Sequence, residues 1–384
     1  MYRYFAPCPR GLESVLALEL ARLGASGLAE VAGGVHFAGD RALCYRANLE
    51  SRIASRVLWL VAEGGYRREQ DIYALARDLD WSRLFDVDCT IRVDVTALRS
   101  PLKSIDFATL RIKDGICDRF RERTGRRPDV DTADPMVRIA AHLGTDRVTL
   151  YLDTSGEPLF KRGWRQDAGV APLRENLAAG LLALAGWRPD SVLLDPMCGA
   201  GTIAIEAAQI AAGRPPGAAR GFGFERLRGH DAALWRALRA ARAGTACAAA
   251  PAIHGRDRDA ERVTAARRNA AAAGVEDRIA WECADVCAAP APAAAGLLVA
   301  NPPYGVRLDS GAQLDAWYGR FGSALKRHYA GWSVWLLSGE LQLPRKLGLR
   351  AERRAPLYNG ALECRLFGFR MVCGSMRRAR PDAD

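Results

Sequence analysis

The sequence predicts an α/β chain in two parts: a doubly wound, mainly parallel sheet over the C-terminal portion, preceded by a smaller α+β module. Three observations carry this. From residue 192 onward, strand-like apolar runs alternate with helical stretches at 192–194, 203–212, 252–254, 259–273, 279–283, 297–300, 314–328 and 333–337, the rhythm of βαβ units. Before residue 156 short strands and helices alternate, and the texture then turns basic and turn-rich through Lys161, Arg162 and Arg165. The length, 384 residues with 49% hydrophobic, exceeds what one core usually absorbs.

Taken in order, Leu12, Val15, Leu16, Leu20 and Leu23 share one helical face, and Gly24 ends that helix. Residues 43–61 read as a second helix, with Arg46, Arg52 and Arg56 on its polar side. Ile91, Val93 and Val95 alternate with Arg92, Asp94 and Thr96, the period of a half-buried strand. Over 104–123, Ala108, Ile112, Ile116 and Phe120 recur every four positions and face a core. Arg111, Lys113, Arg119, Arg121 and Arg123 lie off that stripe, with Lys103 before it and Arg126 and Arg127 after it. Such a run is either a solvated face or a surface for a polyanion. Residues 148–152 form a closing strand, and the boundary falls near residue 156. Residues 213–251 interrupt the later rhythm: Pro215-Pro216-Gly217 breaks it, and 232–243 forms a helix around Trp235.

Charge and cysteines narrow the class. The net charge of +11 suits a polyanionic partner. No stretch approaches the ~20 apolar residues of a membrane span, so no membrane partner is expected. The N-terminus carries no secretory h-region, so the protein is expected to be cytoplasmic. Ten scattered cysteines without metal-ligand spacing read as reduced thiols, with no metal site.

The chemistry sits at strand ends. Val192-Leu193-Leu194 runs into Asp195-Pro196-Met197-Cys198-Gly199-Ala200-Gly201-Thr202 and then a helix. A glycine-rich strand-to-helix turn lets a ligand approach the backbone at the carboxyl edge of a sheet. This string is not a phosphate loop, and its acid suits a cationic ligand with an ammonium and a sulfonium. Asp257 ends the next strand, where it either accepts two ribose hydroxyls or caps the following helix; capping is the preferred role for Asp259. Asp285 follows the third strand, where an adenine amine would meet it. Leu297-Leu298-Val299-Ala300 leads into Asn301-Pro302-Pro303-Tyr304-Gly305. Two prolines fix the backbone, so that the Asn301 side-chain oxygen and the Pro302 carbonyl accept from one exocyclic amine. Tyr304 would stack on an extruded base.

These motifs resemble the class I RNA methyltransferases that carry a THUMP domain, most closely the bacterial 23S ribosomal RNA guanine-N2 methyltransferases. The resemblance covers nearly the whole chain. It takes in Pro9-Arg10-Gly11-Leu12-Glu13, Gly33-Gly34-Val35-His36-Phe37, the Arg46–Arg56 helix and Val130-Asp131. It continues through Arg162-Gly163-Trp164-Arg165, Ala171-Pro172-Leu173-Arg174-Glu175, the cofactor turn, Gly229-His230-Asp231, the Asn-Pro-Pro-Tyr motif with Arg307-Leu308-Asp309, and Tyr358-Asn359-Gly360. It implies a Rossmann-like class I methyltransferase domain at 156–384, preceded by a ferredoxin-like part at 1–42 and a THUMP RNA-binding domain at 43–155. S-adenosylmethionine is the implied cofactor, held by Pro172, Asp195, Pro196, Cys198, Gly199, Gly201, Thr202, Asp257, Asp285 and Asn301. Asn301, Pro302, Pro303 and Tyr304 form the implied catalytic motif. Lys103, Arg111, Lys113, Arg119, Arg123, Arg126 and Arg127 are the expected RNA-binding residues. The implied substrate is 23S ribosomal RNA or a ribosomal precursor, methylated at guanine N2 by a monomer with one activity, although the better-known relatives are fused to a second enzyme. A transfer RNA guanine-N2 enzyme, an adenine-N6 enzyme and a non-catalytic RNA-binding assembly factor are the competing readings. Cys198 is read as packing, not as a nucleophile.

Overall fold

A computed structural model describes residues 1–166, 173–242, 252–303 and 311–372. In chain order the first elements are β1 (Tyr2–Pro7), α1 (Glu13–Arg22), β2 (Ser26–Val31), β3 (Gly34–Gly39), α2 (Arg41–Glu50), β4 (Leu58–Gly65), α3 (Glu69–Asp78), β5 (Ile91–Ala97), α4 (Ile105–Thr124), β6 (Val137–Leu143) and β7 (Arg147–Asp153). Then follow α5 (Glu175–Leu184), β8 (Leu193–Asp195), α6 (Thr202–Ala211), α7 (Ala232–Arg242), β9 (Ile253–Asp257), α8 (Ala260–Ala272), β10 (Ile279–Cys283) and β11 (Leu297–Ala300). The last are α9 (Gly311–His328), β12 (Ser333–Ser338), α10 (Leu343–Leu347), β13 (Arg353–Asn359) and β14 (Leu362–Arg370).

The chain forms two compact units. One comprises Met1–Cys8, Leu16–Leu159 and Pro216–Ala243; the other comprises Pro9–Val15, Phe160–Pro215 and Gly244–Asp384. The segment that interrupts the βα rhythm thus belongs with the first unit, where Trp235 of α7 packs edge-on to Phe224.

The first unit is built on a seven-stranded sheet ordered β2-β3-β1-β4-β7-β6-β5, antiparallel except for β5 beside β6. Strand alternation sorts its faces: Tyr4, Ala6, Val35 and Phe37 are buried, whereas Phe5 and His36 face the other way and keep partial exposure. The helix α4 starts at Ser104, whose side chain accepts from the Phe107 N–H at 3.1 Å, and stops at Gly125 with φ +73°. Its predicted stripe of Ala108, Ile112, Ile116 and Phe120 is buried.

The helix expected over 43–61 needs correction. It ends at Glu50, and β4 begins at Leu58. The half-buried Glu19 accepts through its carboxylate from the Ser51 hydroxyl and from the Arg52 N–H at 3.1 Å. That holds the chain out of the helix, and the apolar run from Leu58 to Val61 then pairs with β7.

The second unit carries the doubly wound sheet, ordered β10-β9-β8-β11-β12-β14-β13. The strands β8 to β12 are parallel, and the C-terminal hairpin β13–β14 adds two antiparallel strands. β8 lies between β9 and β11, which places the switch of strand order at the ends of β8 and β11. A core of Leu194, Leu298, Tyr318, Phe321, Trp332, Leu336 and Phe367 holds β8, β11, β12 and β14 against α9.

Candidate active site

The three acids expected at the cofactor, and Asn301, stand at the same carboxyl edge of the second sheet. Asp195 closes β8 and Asp257 closes β9, while Asp285 and Asn301 lie just beyond β10 and β11. The parallel register, with Asp195 beside Gly255 and Asp257 beside Cys283, aligns these ends.

The turn after β8 is shaped by two left-handed glycines, Gly199 at φ +52° and Gly201 at φ +82°. A Cβ at Gly201 would stand 2.9 Å from the Trp281 ring and 3.0 Å from Ala266, so backbone angle and space both demand glycine there. The Gly199 N–H donates to Asp257 Oδ2 at 3.0 Å, and the Asp259 N–H donates to Asp257 Oδ1 at 3.1 Å. Asp257 therefore ties the glycine turn to its own strand end. Asp259 is the cap of α8, accepting from the Glu261 N–H at 2.9 Å. Asp195 is buried and accepts only weakly, from the Met197 N–H at 3.3 Å. Burial, reinforced by Asp257, pushes its carboxyl up to about 8. Burial also pushes the Cys198 thiol well above its ordinary value, which suits packing and not nucleophilic attack. Asp285 is exposed and accepts from the Cys287 N–H at 2.8 Å.

Asn301 sits at the mouth of β11, and its Oδ1 is buried with no hydrogen-bond partner among the described residues. A buried carbonyl oxygen without a donor is costly and is expected where a ligand supplies the donor. The next residues are fixed from behind: Pro302 is buried, and the hydroxyl of the buried Tyr318 on α9 donates to the Pro303 carbonyl at 2.7 Å. Pro172 and Tyr304 lie outside the described residues.

Sequence reasoning missed the struts behind this turn. Arg165 donates through Nε to Glu175 Oε1 at 2.8 Å, and through Nη2 to the Leu173 carbonyl at 3.1 Å and Thr202 Oγ1 at 3.0 Å. The expected cofactor residue Thr202 thus spends its hydroxyl lone pair on Arg165. Asn269 accepts from the Gln166 N–H at 2.9 Å and donates to the Ala200 carbonyl at 3.0 Å. Arg162 and Glu206 form a fully buried ion pair at 3.1 Å. The motif Arg162-Gly163-Trp164-Arg165 was visible in the sequence, but nothing local announces its partners.

In the first unit the basic set of α4 is largely neutralised. Arg111 bonds Gln70 at 2.8 Å and lies 4.3 Å from the Tyr73 ring centre. Lys113 pairs with Asp114, Arg119 with Glu122, Arg123 with Asp80, and Arg126 with Asp88. Lys103 and Arg127 are exposed and without an ion pair among the described residues. No cluster of three or more His, Cys, Asp or Glu placed to hold a metal occurs among the described residues. No described helix is long and apolar enough to cross a membrane.

Known proteins resemble this arrangement throughout. Residues 162–367 match the family model for the RMKL-like methyltransferase domain, with a THUMP domain matched over 66–153 and an RlmL ferredoxin-like domain over 3–58. The chain belongs to the RMKL-like methyltransferase family. It is 41% identical to the "Ribosomal RNA large subunit methyltransferase K/L" of Aeromonas hydrophila over 98% of its length, and 42% identical to that of Methylococcus capsulatus over 95%. It spans about half the length of these curated relatives, 55% and 51%. Among solved structures it is similar to SMU.472 in complex with SAH (29% identical, TM-score 0.88, 99% of each chain). It is also similar to a predicted N6-adenine-specific DNA methylase from Listeria monocytogenes (31% identical, TM-score 0.87, 96% of each chain). The RMKL-like unit has the fold of S-adenosylmethionine-dependent methyltransferases, and its residues fit that cofactor: a buried acid at the end of β8, a glycine turn that forbids side chains, and a second acid at the end of β9.

Proposed function

We propose that this chain transfers a methyl group from S-adenosylmethionine to the exocyclic N2 of a guanine in 23S ribosomal RNA. The observation that carries the reading is the orphaned Asn301 Oδ1 at the strand switch point. The cofactor, when bound, supplies an electrophilic methyl on a sulfonium. Everything asked of the protein is then alignment and charge placement. Asn301 Oδ1 and the Pro302 carbonyl accept the two N–H bonds of the amine and hold its lone pair toward the methyl. Tyr318 locks the Pro303 carbonyl, so the acceptor pair has little freedom to turn away. Asp195 would hold the cofactor's ammonium, Asp257 its ribose hydroxyls and Asp285 its adenine amine, with the glycine turn leaving room for its amino-acid chain. The ribosomal substrate is supported by the name shared by the relatives, and RNA over DNA by the THUMP match in the first unit.

The test is single-turnover transfer of labelled methyl to 23S RNA, followed by digestion to nucleosides. N2-methylguanosine is expected; N6-methyladenosine would replace the substrate and keep the mechanism. Asn301→Ala should slow transfer by roughly 10²-fold or more, the scale for a lost positioned hydrogen-bonding group, with cofactor affinity nearly unchanged. An Asn301→Ala enzyme at wild-type rate would remove the mechanism.

A further inference from the structure

The motif Gly33-Gly34-Val35-His36-Phe37 and the opening strand carry features that the methyl transfer does not use. In the first unit, Phe5 of β1 pairs across the sheet with His36 of β3, on the face opposite the buried Tyr4 and Phe37. A Cβ at Gly34 would stand 2.5 Å from both Cε2 and Cζ of Phe5. Gly34 lacks a left-handed φ, so its glycine serves space: the Phe5 ring lies across the backbone there instead of standing off it. The His36 ring is 4.7 Å from Phe5, tilted by 36°, and the Tyr151 ring of β7 is 6.2 Å away at 41°. Three rings thus run in a row from β3 over β1 and across β4 to β7. Phe5 and His36 remain partly exposed, and Tyr151 is buried at the inner end.

Charge borders the row unevenly. Arg3 and Arg147, each about two-thirds exposed, share the single carboxylate of Glu63 at 2.8 and 3.7 Å. His142 is close enough to act on His36 electrostatically. Two guanidinium groups on one carboxylate leave a net positive edge beside an aromatic floor. Burial, with His142 and Arg3 nearby, pushes His36 below its ordinary value, so its ring is neutral at pH 7 and stacks without a charge to solvate.

We propose that this sheet face is a stacking platform for unpaired bases of the RNA substrate, with Phe5 and His36 under the bases and Arg3 and Arg147 on the phosphates. Sequence-specific recognition of RNA mostly targets single-stranded segments whose bases stack on aromatic side chains, an open sheet being one platform for them, and such stacking tolerates any base because each has a π-face. A duplex hides those faces, so the platform selects a loop or bulge. The proposal rests on the RNA reading given above and moves the main grip from the neutralised α4 helix to the strands.

The test is fluorescence anisotropy of the full chain with a labelled single-stranded oligoribonucleotide of about ten nucleotides, and with a blunt duplex of the same sequence. Phe5→Leu should weaken single-strand binding about ten-fold, within the range of one lost stacked base, and leave duplex binding and cofactor affinity unchanged; Phe5→Trp should restore it. Arg147→Glu, at an exposed position that folding does not depend on, should weaken binding and lower the salt slope by about 1. It carries the test if Phe5→Leu fails to fold. Wild-type single-strand binding that is indifferent to both Phe5→Leu and Arg147→Glu overturns the platform alone. A wild-type chain that binds neither RNA overturns the platform together with the RNA reading beneath it.

Discussion

The proposed role of Asp195 sets a pH dependence whose sign follows from its surroundings. Burial, with Asp257 beside it, pushes the carboxyl up to about 8, from an ordinary value of about 3.9. At pH 7 about nine in ten free molecules therefore carry a neutral Asp195. Holding an ammonium group requires the ionised form, so binding releases a proton, and affinity should rise about ten-fold per pH unit between 5.5 and 7. The rise should bend over near pH 8, both because Asp195 is then ionised and because an α-amino group loses its proton at about 7.7–8.0. Asp195→Asn should remove the rising limb. At pH 8 it should weaken binding by the worth of one charged hydrogen bond, about 1.5–3 kcal/mol. The stability of the free protein moves the other way. The native carboxyl keeps a proton that the unfolded chain loses between pH 4 and 8, so this group's contribution falls as pH rises through that window, and Asp195→Asn should flatten the fall. Isothermal calorimetry at pH 7 in buffers of different ionisation enthalpy reads the net proton, with about 0.8 released per cofactor bound as the expectation, the Asp195 proton less the small uptake by the amine. A wild-type affinity that is flat from pH 5.5 to 7.5, with no proton released, would refute the assignment.

Three further outcomes are expected. Gly201→Ala places a methyl 2.9 Å from the Trp281 ring at φ +82°; it should cost stability by about 1–3 kcal/mol and abolish detectable cofactor binding in calorimetry of the folded fraction. Arg162→Met removes the buried ion pair with Glu206, and should lower stability in urea unfolding by about 3–5 kcal/mol without touching exposed RNA-binding residues. Lys103→Glu with Arg127→Glu should weaken RNA binding and lower its salt slope by about 1 for each phosphate no longer neutralised. The same reversal at Arg123 and Arg126 should act less, because Asp80 and Asp88 already hold those side chains; equal losses in the two pairs would show that the ion pairs do not withhold them.

What the sequence made legible and what it hid divide along the range of the interactions. The glycine turn, Asp257 and Asn301 each sit at the end of a short buried run followed by a turn, and that signature is local, so strand end and functional group are legible together. Residues 43–61 mislead for the complementary reason. Apolar and arginine residues at near-helical spacing continue past Glu50, and partners distant in sequence, the carboxylate of Glu19 at Ser51 and Arg52 and the Pro7 carbonyl at Ser55, hold the chain out of the helix. The hairpin β13–β14 does carry a local signal: Asn359 pairs with Leu362, which leaves a two-residue loop with Gly360 first at φ +67°, the place where a tight hairpin calls for glycine.

The supports of the candidate site have no such mark. Arg165 reaches Thr202 across 37 positions, and Asn269 reaches Ala200 across 69; no period or spacing announces either pair. Their chemistry nevertheless explains why the motifs occur together. Arg165 joins Glu175 at the start of α5 to Thr202 at the start of α6, and Asn269 of α8 links Gln166 to the glycine turn. A substitution at Arg165 or Gln166 therefore reaches the glycine turn and the start of α6 through hydrogen bonds, and Arg162 is buried against Glu206, so the charge of this segment is spent on the candidate site and not on the RNA grip that it suggests.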